Sequence, residues 1–154
     1  MELVTKTKTV EYKVWQASDG TEFEKKEDCR EYEEKLDADS AFFGLAEDLT
    51  LDDYYAVDAL LDGGTGAADY FLVVPRTDED VTVLKKWLSV HGAYPLSGKA
   101  CDMWIGDESE IMAGGKYIAG SFDNGFNVLL FSEERIRQKM NRLLSLFEGG
   151  EENA

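Results

Sequence analysis

The chain has 154 residues and a formal net charge of −16, with 32 Asp and Glu against 16 Lys and Arg. Its length suits one ordinary domain or a core with a small appended module, and a 44% apolar and 12% aromatic content argues against wholesale disorder. Charge of this sign repels polyphosphate and anionic lipid, which counts against direct binding to nucleic acid or a membrane surface and favours basic partners.

Residues 8–17 alternate, with Val10, Tyr12 and Val14 on one face, and predict a strand. Ser18-Asp19-Gly20 signals a turn, and Thr21-Glu22-Phe23 returns as a second strand. From Lys26 to Leu36, Cys29, Tyr32 and Leu36 recur at helical spacing on an otherwise charged segment. Residues 1–36 therefore read as a β-hairpin–helix unit. Its wording, Lys13-Val-Trp-Gln-Ala-Ser-Asp-Gly-Thr-Glu-Phe23 with Lys26-Glu-Asp-Cys29 and Glu31-Tyr32-Glu33, resembles a segment of small uncharacterised bacteriophage proteins. The resemblance covers about a fifth of the chain. It implies a phage or prophage origin, hence the host cytoplasm as compartment, and implies no activity.

Residues 37–69 form an acidic connecting segment with one helix. It holds Asp37, Asp39, Glu47, Asp48, Asp52, Asp53, Asp58, Asp62 and Asp69 and not one Lys or Arg. Residues 37–49, with Phe42-Phe43, read as a connection. Thr50 is a good N-cap, Asp52 and Asp53 suit the first helical turn, and Gly63-Gly64 stop the helix. At 100° per residue Tyr54, Val57, Leu60 and Leu61 share the side expected to face the core. Asp52, Tyr55, Asp58 and Asp62 share the other, as surface neighbours.

Residues 70–148 predict the α+β core. Tyr70 to Pro75 is an apolar strand, and Thr77 caps a helix with Asp80 placed to close a capping box. Val81, Leu84, Trp87, Leu88 and His91 form its stripe. Asp102 to Ile105 is a further strand. Lys116–Phe122 and Phe126–Phe131 flank Asp123-Asn124-Gly125 as a hairpin, completing a three-stranded meander. Ser132 caps a C-terminal helix whose apolar face is Ile136, Met140, Leu143, Leu144 and Phe147. Residues 149–154 read as a disordered tail.

Little enzyme chemistry fits. His91 is the sole histidine, and Cys29 and Cys101 have no ligand-like spacing, so neither a multi-histidine metal site nor a structural zinc site has a ligand set. No secretory signal follows Met1 and no run reaches membrane-spanning length, so two reduced thiols are expected. Asp37-x-Asp39 with Asp48 has calcium-loop spacing, but Ala41 and Phe42 stand where a ligand and a glycine are needed. Gly92 and Gly98-Lys99 miss the phosphate-loop spacing, and Ala100 replaces the metal-binding hydroxyl. Asp107 and Glu110 are the candidate ligands of a metal-dependent hydrolase, weighed against a solvated turn. No cofactor is expected.

The favoured expectation is an acidic inhibitor. Asp37, Asp39, Glu47, Asp48, Asp52, Asp58 and Asp62, with Tyr55 among them for guanidinium stacking, would meet a basic nucleic-acid-binding host protein such as a nuclease or defence effector. In size, charge and implied origin the chain is similar to acidic phage anti-restriction and anti-CRISPR proteins. The alternative is a phage accessory protein that binds a host or virion protein through exposed members of Phe42, Phe43, Tyr54, Tyr55 and Tyr94.

Overall fold

The hairpin signal, the helical stripes and the apolar strand runs assemble into an α+β protein of two antiparallel sheets and helices. A computed structural model describes residues 1–61, 68–91, 108–122 and 128–149. The chain divides into two units, Met1–Leu36 and Asp37–Ala154, so the acidic segment shares a unit with the core. The predicted strand at Asp102–Ile105 and the Asp123-Asn124-Gly125 turn lie outside the described residues.

In the first unit the paired strands are much shorter than the alternation predicted. They are β1 (Trp15–Gln16) and β2 (Glu22–Phe23), while Val10 and Tyr12 are exposed. Two residues per strand bury little, so side chains bind the hairpin to the helix α1 (Lys26–Phe43). Gly20 turns the chain at φ 93°, and Asp19 accepts the Thr21 backbone N–H (2.9 Å) and the Tyr32 hydroxyl (2.8 Å). Ser18 donates its hydroxyl to Glu33 (2.8 Å), and Phe23 lies 5.1 Å from Tyr32. Cys29 is buried.

Helix α1 does not end at Leu36 but continues through Phe43, across residues predicted as a connection. The reason is tertiary. Phe42 is fully buried and stacks on Trp87 at 3.8 Å, so helix here delivers an aromatic to the core. Helical geometry at Asp37 and Asp39 also precludes a calcium loop there.

In the second unit follow β3 (Ala46–Asp48), α2 (Leu51–Leu61), β4 (Ala68–Val73), α3 (Asp78–Val90), β5 (Tyr117–Phe122), β6 (Val128–Ser132) and α4 (Glu133–Glu148). The sheet order is β3-β4-β5-β6, antiparallel throughout, with Tyr70 opposite Gly120 and Ile118 opposite Phe131. One face carries Val73, Tyr117, Ala119, Val128 and Leu130 against Leu84, Trp87 and Leu88 of α3 and Phe42 of α1. The other carries Tyr70, Leu129 and Phe131 against Tyr54 and Val57 of α2 and Ile136 of α4. Helices on both faces explain why β6 is buried at every position and reads as an unbroken apolar run. Gly120 sits under Tyr70, where an added Cβ would meet the ring at 3.2 Å.

Helix α3 begins as its wording predicts. Thr77 accepts the Asp80 backbone N–H, and the Asp80 carboxylate accepts the Thr77 and Arg76 N–H groups at 3.0 and 2.8 Å. These bonds, the Arg76 N–H first, hold the Asp80 carboxyl below its ordinary value.

Candidate functional site

The acidic segment is laid out on β3 and α2. β3 is an edge strand, and its alternation sends Glu47 and Asp48 to opposite sides, with Asp48 opposite Phe71 on β4. Thr50 then caps α2. Its hydroxyl oxygen accepts the Asp53 N–H (3.2 Å), and the hydroxyl donates to the Asp53 carboxylate (2.7 Å). Asp52 and Asp53 therefore stand in a first turn, where the helix dipole favours negative charge. Both are exposed, as are Glu47, Asp48 and Tyr55. The Tyr55 ring sits edge-on to Tyr54 at 5.9 Å, and Tyr54 rests on buried Tyr70 at 5.6 Å, so two ring contacts anchor this exposed aromatic.

The carboxylates are not neutralised from within. Among the described residues no Lys or Arg pairs with Asp37, Glu47, Asp48, Asp52 or Asp53; Arg–carboxylate pairs elsewhere include Arg135–Glu110 and Arg137–Glu133. Glu47 shares a hollow of about 310 Å³ with Arg76 and Asp80 without an ion pair.

Three expected members of the surface are placed differently or not at all. Asp58 does not face outward beside Asp52 and Tyr55. It is 5% exposed, because α2 turns Tyr54, Val57 and Asp58 inward at i, i+3 and i+4 and leaves Leu60 outside. Among the described residues nothing donates a hydrogen bond to its Oδ1. Asp39 is engaged elsewhere: Trp87 donates Nε1–H to its Oδ1 at 3.0 Å, and His91 Nε2 lies 2.7 Å from the same oxygen. Asp62 lies outside the described residues. Asp37 is exposed on α1, and nothing in the structure draws it toward β3.

Phe43 was separable from the acids in sequence but is not in space. It is exposed, and its ring meets Phe71 at 5.5 Å, the residue that pairs with Asp48. An exposed aromatic and a free carboxylate thus flank one β4 residue. Of the other aromatics, Phe42 is buried, Tyr54 is half-buried and Tyr94 lies outside the described residues. Asp53 was visible only as a capping residue.

The hydrolase candidate loses a ligand. Both Glu110 carboxylate oxygens are taken by Arg135, at 2.8 and 2.7 Å, while Asp107 lies outside the described residues. No group of three metal-ligating side chains occurs among the described residues, and no described helix is long and apolar enough to cross a membrane. Compared with known proteins, the chain matches no family model, no curated protein and no solved structure.

Proposed function

We propose that this chain is a phage-encoded inhibitor that binds a basic, nucleic-acid-binding host protein and occupies its groove, in the manner of anti-restriction and anti-CRISPR proteins. The observation that carries the reading is that Asp48, Asp52 and Asp53, close together along one strand–helix segment, are exposed and ion-paired with no described Lys or Arg, while Tyr55 is exposed on the same helix and Phe43 is exposed against Phe71, the strand partner of Asp48. Carboxylates on an ordered backbone meet Lys and Arg without first losing the entropy of a floppy chain, and the rings offer faces for guanidinium stacking. The mimicry is narrower than the sequence suggested. It runs along the β3–α2 junction instead of down α2, since Asp58 is turned inward.

The competing account is that these acids only guard an edge strand and keep the protein soluble. Affinity capture from host lysate separates the two. Reversing Asp48, Asp52 and Asp53 to Lys should weaken capture of a basic partner by at least about 100-fold, and raising salt should weaken it steeply. Undiminished capture by a folded triple variant would refute the proposal. A second reading, docking on a host or virion protein through an aromatic face, is favoured by the exposure of Phe43. It requires capture to survive charge reversal and salt and to fail on Phe43→Ala.

A further inference from the structure

We propose that α4 is a self-association surface, through which two copies of this chain pair antiparallel. Ile136, Met140, Leu143 and Phe147 recur at i, i+4, i+7 and i+11, with Leu144 alongside, an apolar stripe along almost the whole helix. Among the described residues only its head is used within the fold, where Ile136 packs on the sheet beside Leu129 and Phe131. The rest faces outward: Leu143, Leu144, Leu146 and Phe147 are 43%, 59%, 71% and 79% exposed. At about 200 Å² for a large apolar side chain, these four leave on the order of 500 Å² uncovered, a patch of the size that marks an interface. Two copies together remove roughly twice that, close to the lower limit of a specific interface before polar flanks are added.

Charge selects a second copy as the occupant. Each copy carries −16, so close approach is opposed over most of the surface. α4 is locally balanced, with Arg135, Arg137, Lys139 and Arg142 against Glu133, Glu134 and Glu148. Arg137, which within its own helix pairs with Glu133 at i−4, and Glu148 lie on the same side of the stripe and near its opposite ends. An antiparallel pair centred on Leu143 therefore sets each Glu148 beside Arg137 of the other copy. The same arrangement directs Phe147 of the second copy toward the head of the stripe. There an apolar hollow of about 360 Å³, lined by Leu72, Ile118 and Ile136, opens beside Arg137. Knob, hollow and charge order are thus complementary under one two-fold operation.

Analytical ultracentrifugation of the chain alone tests this, independently of any basic partner. The expected result is a monomer–dimer equilibrium with a Kd on the order of 10 μM. It should tighten about 3- to 10-fold from low to high salt, because screening relieves repulsion between copies while exposed ion pairs contribute little. Leu143→Glu and Phe147→Glu alter exposed residues, so both should fold with unchanged circular dichroism and sediment as monomers. Arg137→Glu and Glu148→Arg should each weaken the dimer, and the double reversal should restore it. A chain that is monomeric at roughly tenfold the stated Kd overturns the proposal. A dimer indifferent to both Leu143→Glu and Phe147→Glu, or one dissolved by salt, overturns it as well.

Discussion

Asp58 and Asp39 show how single carboxylates in one acidic run acquire different roles. Asp58 is buried on α2, and its Oδ1 receives no hydrogen bond from the described residues, a burial that costs stability. Asp58→Asn keeps the shape and removes the charge, and is expected to raise stability at neutral pH by about 1–2 kcal/mol in urea unfolding. A loss on that substitution would show that the carboxylate has a stabilising partner. Asp39 is the opposite case, since it receives Trp87 Nε1–H and faces His91. Asp39→Ala strands a part-buried indole donor and should cost about 1–3 kcal/mol, read from the Trp fluorescence midpoint. Neither role is legible in a list of acids, because both depend on what the helix packs against.

At the scale of elements, the hairpin and α1 are joined by Asp19. Its carboxyl is held below the ordinary value of 3.8, chiefly by the Thr21 backbone N–H and then by the Tyr32 hydroxyl. The folded value is therefore below the unfolded one, so this contribution is complete above the unfolded value and is lost as pH falls through the folded one. Acid titration of the Phe23 and Tyr32 ring signals by NMR should show the hairpin loosening from α1 below pH 3.8, and Asp19→Asn should show the looser state already at neutral pH. Local wording was enough for some elements: Thr77 and Asp80 close the capping box of α3, and the runs around Asp123-Asn124-Gly125 pair as β5 and β6. It failed for α1, where Phe42 draws about two further turns of helix toward Trp87, and for β1, where alternation extended well past two paired residues.

For the whole molecule, −16 on 154 residues means that compaction works against self-repulsion. Added sodium chloride should raise the thermal midpoint of the monomeric Leu143→Glu variant, by roughly 3–8 °C between low and moderate salt, as screening lengths fall. A midpoint that does not respond would mean the charges are far enough apart to be neutral in effect. The same salt should loosen capture of a basic partner and tighten pairing through α4, so ionic strength separates the two surfaces.

Composition and wording alone determined the sign of the surface, the α+β class and the hairpin and capping signals, because these depend on total charge and on residues close in the chain. Only the tertiary structure decided which acids stay exposed. Asp58 turns inward because α2 must cover Tyr70, Phe43 joins Asp48 through Phe71, and the stripe of α4 faces outward because the sheet takes only its first turns. Those outcomes depend on which faces find a neighbour, and periodicity names a face without naming what covers it.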